Sequence, residues 1–250
     1  MSIQATHSNP DGQHHFDVLI IGTGSAGLMS ALQLSEDLSV ALIAKDKLLE
    51  GSSYYAQGGI SAVLDTMDNF ESHISDTLST GSHLGDEKAV RFMVENAPDA
   101  ITSLEEAGVL FTKEGGHYHL TTEGGHSNRR VAHVADKTGQ SIQTNLLSSV
   151  KARKNITLFE NFIAIDLLVK NQRCYGAYIL NKSNNEVESF IAHQTVIATG
   201  GASKTYLYTS NPDTSTGDGI AMAYRAHCEI VNMEFTQFHP TCLYHPHAKS

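Results

Sequence analysis

The feature that most restricts this chain is a glycine triplet set between an apolar run and a helical pattern. Phe16 to Ile21, FDVLII, is short, apolar and β-branched, the composition of a parallel strand buried on both faces. GTGSAG follows at once, with Gly22, Gly24 and Gly27 in G-x-G-x-x-G spacing, and LMSALQLSED then repeats apolar residues at helical intervals. Strand, turn and helix in that order predict a dinucleotide cradle. Gly22 makes the tight turn, Gly24 lets a pyrophosphate approach the backbone, and Gly27 lets helix and strand pack closely. The helix N-terminus then offers free N–H groups and partial positive charge to the phosphates. Gly22, Thr23, Gly24, Ser25, Ala26 and Gly27 are therefore the expected cofactor contacts of this turn.

Leu38 to Ala44, LSVALIA, reads as the second strand. A dinucleotide fold usually ends this strand in an acid that hydrogen-bonds the adenine ribose. Here the positions hold Ala44 and Lys45, so the standard anchor is missing unless Asp46 reaches back to supply it. Lys45 is expected to contact the nucleotide from its backbone or side chain. A simple NAD-dependent dehydrogenase fits this strand poorly.

The net charge of −10 argues against nucleic acid or an anionic membrane surface, both of which reward clustered Lys and Arg. Cys174, Cys228 and Cys242 form no C-x-x-C pair and leave an odd count, which suits a reducing, cytoplasmic setting better than a disulfide framework. Residues 1–15 are polar, without an apolar or basic leader pattern, and read as a disordered tail. No run approaches the roughly twenty apolar residues of a membrane helix. His117, His119, His126, His133 and the 239–247 cluster beside Cys242 lack zinc-ligand spacing, so no metal is expected.

The segment EGSSYYAQGGISAV, Glu50 to Val63, is not part of a generic dinucleotide unit. Further blocks follow it in order: HLTTEGGHSNRRVAHVADKTG, VIATGGA, NPDTSTGDGIAMAYRA and EFTQFHPTCLYHP. Together they resemble the flavoproteins of the succinate dehydrogenase, fumarate reductase and L-aspartate oxidase group, from Asp17 to the C-terminus. The resemblance implies an α/β fold: a Rossmann-like FAD-binding domain with a parallel sheet, a helical excursion and an inserted β-region, spanning 16–240. It implies FAD as cofactor, wrapped by Ser52, Ser53, Tyr54, Tyr55, Ala56, Gln57, Gly58 and Gly59. Asp218, in TGDG, is implied to contact FAD; read without the family it serves equally well as the N-cap of the helix that follows. Ile163 and Ala164 match backbone positions against the adenosine part, and ordinary core strand describes them as well.

Two positions separate the members of the group. The respiratory enzymes bond FAD covalently to a histidine of the flavin loop, and alignment on AQGG puts Ser52 there, which implies noncovalent FAD. They also carry an uncharged residue where this chain has Glu123. Succinate and aspartate differ by one ammonium group, which a carboxylate at Glu123 can pair by a charge-assisted hydrogen bond; a solvated loop acid is the bland alternative. His239, in QFHPT, matches the group's carboxylate-binding histidine, with Gln237 on the same side if the segment is extended. His245 and His247 read as structural. The aspartate-oxidising branch is the nearest resemblance. It implies hydride transfer from L-aspartate, iminoaspartate as product, oxygen or fumarate as acceptor, and delivery to quinolinate synthase in NAD biosynthesis. The competing members are a soluble fumarate reductase and a noncatalytic FAD-binding fragment. Residues 241–250 read as the start of a connection to a capping domain, followed by a helical bundle. The group's catalytic arginine lies in that further part, so no catalytic residue is expected in these 250 residues, and little activity from them alone.

Overall fold

The computed structural model describes residues 12–238, which divide into two compact units, residues 12–55 with 147–238 and residues 56–146. The first unit is built on a six-stranded sheet. Its parallel part comprises β1 (Gln13–Ile21), β2 (Val40–Ala44), β7 (Ile156–Glu160) and β10 (Glu186–Ile197), and its antiparallel part adds β8 (Phe162–Lys170) and β9 (Arg173–Asn181), in the order β7-β2-β1-β10-β9-β8. β2 is buried at every position, as its unbroken apolar run requires between two covered faces. β1 begins at Gln13, so residues 13–15 belong to the sheet and not to a tail: they continue the pairing with β10, where Gln13, His14 and His15 face Ser189, Phe190 and Ile191. β2 starts two residues after Leu38, which ends the preceding turn by donating its N–H to the Ser35 carbonyl.

Alternation sorts the two faces of the parallel part. Leu19, Ile21, Ala41 and Ile43 form a core with Phe159, Phe162, Ala164, Ala177, Ile179 and Phe190, so the β8–β9 ribbon covers that face. The helix α1 (Ser25–Gln33) packs on β1 and β2 through the opposite face, burying Leu28 and Ala31. The inserted β-region expected after Ile156 is therefore a second wall of the core. Asn161, at φ 65°, breaks the stretch 156–169 into two strands. The unit also contains α2 (Ser52–Tyr55) and α6 (Asp218–Arg225).

The second unit is the helical excursion. It holds β3 (Ile60–Ser61) paired antiparallel with β6 (Val131–Ala132), and the small hairpin β4 (Lys113–Glu114) and β5 (His117–Tyr118). Its helices are α3 (Phe70–Thr80), α4 (Glu87–Glu106) and the start of α5 (Thr138–Ala152), which runs on into the first unit. α3 and α4 open on side-chain caps: Asn69 accepts the Ser72 N–H and Asp86 accepts the Ala89 N–H. Val94, Ile101 and Leu104 are the buried stripe of α4. No helix among the described residues is long and apolar enough to cross a membrane.

A charge cluster pins this unit. Arg130 is fully buried and gives its Nε and Nη2 to Asp68 at 2.9 Å and its Nη1 to Asp76 at 2.8 Å. His73, buried beside them, is held below its ordinary pKa by burial first, then by Arg130 and His126, against the smaller opposing pull of Asp68 and Asp76. Removing the guanidinium strands two carboxylates, so Arg130→Met is expected to lower unfolding free energy by about 3–5 kcal/mol in urea titrations. The His73 effect has a definite sign. Unfolded His73 takes up a proton near 6.5 and folded His73 only at lower pH, so the unfolded state binds more protons in that window. Stability should fall as pH drops below about 6.5. Urea titrations across pH should show this slope reduced in His73→Phe.

Candidate functional site

Parallel pairing aligns Ile21 with both Ile43 and Ile197, which sets Gly22, Lys45 and the Ala198 turn at one carboxyl edge of the sheet. Gly22 has φ +117°, and a β-carbon there would lie 2.2 Å from the Ala198 carbonyl oxygen. A β-carbon on Gly27 would lie 2.0 Å from the Gly22 carbonyl oxygen, which is the close helix–strand packing expected of it. Gly24 is different: a β-carbon would meet only the Ser53 Oγ, at an ordinary 3.4 Å. The packing of the chain itself thus requires Gly22 and Gly27 but not Gly24. The α1 N-terminus has no capping bond from Gly24 and no acid in its first turn, in contrast to α3 and α4. The Ser25 N–H meets Ser53 Oγ at 3.3 Å. Thr23 is buried and gives its hydroxyl to the Leu48 carbonyl at 3.1 Å, bracing the turn against the segment after β2.

At the end of β2, Lys45 Nζ pairs with Asp218 Oδ2 at 2.5 Å and contacts the Thr216 hydroxyl, which also donates to Asp218 Oδ1 at 2.6 Å. Burial pushes the Asp218 carboxyl up, but the bonds from Lys45 and Thr216 outweigh it and hold the group below its ordinary value. Asp218 is not the N-cap of α6. Gly217 holds that place at φ +76°, where the chain enters the helix through a left-handed turn, and Asp218, the first helical residue, faces Lys45. Asp46, the alternative ribose anchor, accepts the Lys47 N–H on its Oδ1 at 2.8 Å. Glu160, which the sequence did not single out, ends β7 opposite Ala44 and accepts the Leu48 N–H at 2.8 Å.

The expected flavin loop opens as one helical turn, α2, because Gly51 supplies a carbonyl to the Tyr54 N–H. Ser52 bonds Asn211 at 2.8 Å and Ser215 at 3.0 Å, partners more than 150 residues away that no local pattern could reveal. Tyr55 gives its hydroxyl to Glu50 at 3.0 Å, and burial, with that bond, pushes the phenol up. Ile163 and Ala164 open β8 against Leu180 and Ile179, and Ala164 is buried in the core. The corner before them is tied to the segment after β2 by the Asn161 N–H on the Asp46 carbonyl. A cleft of about 950 Å³ in this unit is lined by Ala202, Tyr206, Asn211, Ile230, Phe235 and the exposed Gln237. His239, Cys242, His245 and His247 lie outside the described residues.

In the second unit, Ala56 accepts the Gly139 N–H at 3.0 Å, and Gln57 is exposed. A β-carbon on Gly59 would sit 2.3 Å from the Ala132 carbonyl oxygen, a consequence of the β3–β6 pairing. Glu123 lies over Gly58: its Oε1 is 3.1 Å from where a Gly58 β-carbon would be. Glu123 is exposed, and among the described residues no hydrogen bond or ion pair engages its carboxylate. The sequence-predicted acid and the AQGG segment are thus brought together. His119 Nδ1 and His133 Nε2 pair at 2.8 Å, and among the described residues no three His, Cys, Asp or Glu side chains gather as a metal-holding group.

Residues 17–250 match the family described as FAD binding domain. The chain belongs to this FAD-binding family. FAD is its cofactor. The FAD-binding domain is 51% identical over 252 residues to an L-aspartate oxidase of Acinetobacter baylyi, with 97% of this chain and 46% of that protein covered. It is 53% identical over 253 residues to an L-aspartate oxidase of Pseudomonas aeruginosa, with 95% and 47% covered. The chain therefore spans about half the length of these curated relatives. Among solved structures, an E. coli quinol fumarate reductase superposes with a TM-score of 0.82 at 30% identity, covering 85% of this chain and 37% of that one.

The three glycines of the FAD-binding domain give a direct test. Gly24→Ala should leave the melting temperature of the apoprotein unchanged and weaken FAD binding about tenfold or more in a fluorescence titration. Gly27→Ala should lower the melting temperature itself, because its methyl group meets backbone.

Proposed function

We propose that this chain is the FAD-binding portion of an L-aspartate oxidase, which oxidises L-aspartate to iminoaspartate with oxygen or fumarate as acceptor and feeds quinolinate synthase in NAD biosynthesis. The observation that carries the reading is the unengaged Glu123 carboxylate held over Gly58, inside AQGG. A carboxylate beside a flavin-wrapping segment, with no partner among the described residues, is the group an α-ammonium requires and a plain dicarboxylate does not. The identities of 51% and 53% to L-aspartate oxidases support the same choice.

In this reading Gly24 and the N-terminus of α1 would hold the pyrophosphate of FAD: beside the Ser25 N–H that meets Ser53 Oγ, the N–H groups of Ala26 and Gly27 and the helix dipole favour an anion. Gly22 and Thr23 hold the turn. Lys45 and Asp218 form an ion pair at the same edge for polar contacts to the nucleotide, and Ile163 and Ala164 offer backbone to the adenosine part. Residues 52–59, Ser52 through Gly59, wrap the flavin. FAD, when bound, supplies the two-electron acceptor for the substrate's α-hydrogen. The chain's own residues orient the substrate: Glu123 accepts the ammonium N–H, while Gln237 and His239 hold a carboxylate. Attachment is noncovalent, because Ser52 occupies the linking position and its hydroxyl is engaged by Asn211 and Ser215. Acid precipitation of the holoprotein should leave all the yellow colour in the supernatant; colour retained in the pellet would contradict this.

A second reading, a soluble fumarate reductase, draws on the superposition with the E. coli quinol fumarate reductase. Glu123→Gln separates the two. It keeps the shape and removes the charge, so kcat/KM for L-aspartate in the full flavoprotein should fall about tenfold or more, the loss of one charge-assisted hydrogen bond. Fumarate reduction by reduced dye should survive. Equal loss on both substrates would remove the ammonium argument.

A further inference from the structure

Glu123 is set by a neighbour that the reading above leaves without a role. Residues 123–126, Glu-Gly-Gly-His, make a tight turn closed by the His126 N–H on the Glu123 carbonyl at 3.2 Å. Gly125, third in the turn, takes φ +89°, as in a type II turn, and a β-carbon there would lie 2.5 Å from Thr80 Oγ1 at the end of α3. The turn is therefore both conformationally and sterically fixed. His126 then folds back on the residue that starts it: the Glu123 N–H donates to His126 Nδ1 at 3.3 Å. The other ring nitrogen, Nε2, lies 3.3 Å from Ser61 Oγ. The first contact decides the tautomer. With Nδ1 accepting from a backbone amide, the neutral ring carries its proton on Nε2 and donates it to Ser61.

Ser61 is in β3, immediately after Gly58, Gly59 and Ile60. One imidazole thus ties the backbone of Glu123 to the strand that continues AQGG. The ring is backed edge-on by His73 at 6.0 Å between centroids, and His73 belongs to the helix anchored by the Arg130 cluster. The Ser127 N–H and hydroxyl bind Asp76 at 2.8 Å and 2.6 Å, which anchors the far side of the turn to the same helix. Among the described residues nothing bonds the Glu123 carboxylate, so its placement over Gly58 depends on how its backbone is held.

We propose that His126 is a positioning residue for substrate selection: as the Nε2–H tautomer it links the Glu123 amide to Ser61 and so fixes where the Glu123 carboxylate meets the substrate ammonium. In this role it acts through Glu123. The inference rests on the L-aspartate oxidase reading, and the test separates the two. In the full FAD-loaded protein, His126→Ala should raise KM for L-aspartate about tenfold with a much smaller change in kcat, because a misplaced charge-assisted contact weakens binding. The KM for fumarate, which has no ammonium group, should rise far less. His126→Asn should recover most of the loss, since its Oδ1 reaches the Nδ1 position and accepts the Glu123 N–H, whereas His126→Phe should not. In a Glu123→Gln background, His126→Ala should add little further loss for aspartate. Nitrogen-15 spectra of the wild-type protein should show an unprotonated Nδ1 on His126, a readout that needs no substrate.

An Nδ1-protonated tautomer, equal KM increases for aspartate and fumarate, or additive losses in the double variant would each overturn the proposal. A wild-type flavoprotein that does not oxidise aspartate would instead defeat the functional reading, and this inference with it. Aspartate oxidation that is intact in wild type and unaffected in His126→Ala would defeat the positioning role alone.

Discussion

The site edge of the first unit depends on one close approach, that of α1 to the end of β1 at Gly22 and Gly27. With 2.0 Å between the Gly22 carbonyl oxygen and a hypothetical β-carbon on Gly27, no side chain at position 27 permits that separation. The contact fixes the direction of α1 relative to the parallel strands, and with it the place to which the uncapped helix N-terminus points. The parallel register does the rest. Because Ile21, Ile43 and Ile197 are in line, the turn at Gly22, the cation at Lys45 and the glycine turn after Ile197 emerge at the same edge.

The second unit uses a different device. Its buried Arg130 is satisfied by two aspartates, one preceding α3 and one within it, so a desolvated charge specifies how β6, α3 and the turn at 123–127 are assembled. A buried ion pair of this kind is weak evidence for stability but costly to leave half-made. Here it supports the segment that carries the exposed Glu123. The rigidity that would otherwise come from a bond to Glu123 itself is supplied by its neighbours, His126, Ser127 and Gly125.

Much of the first unit was legible from short-range pattern. FDVLII-GTGSAG-LMSALQ carries its strand, turn and helix in contiguous residues, and VALIA is buried throughout because only a doubly covered strand is apolar at every position. The errors were local ones of entry and exit. The sheet recruits the polar residues 13–15 through pairing with residues that lie far along the chain. α6 starts through a left-handed glycine, which freed Asp218 from capping and turned it to Lys45. The one-turn helix at Ser52–Tyr55 has too few residues for periodicity to register.

By itself the sequence determined the type of fold and the strand–turn–helix cradle, and it named candidate residues for flavin and substrate, because those depend on side-chain chemistry and on spacing within a few residues. Tertiary structure alone decided which of them meet. The Ser52–Asn211, Ser52–Ser215 and Lys45–Asp218 bonds each join residues more than 150 positions apart, and the approach of Glu123 to Gly58 spans a whole helical excursion. The physical reason is that a hydrogen bond or a steric limit acts over a few ångströms of space, and only the packed backbone sets which distant residues come within that range.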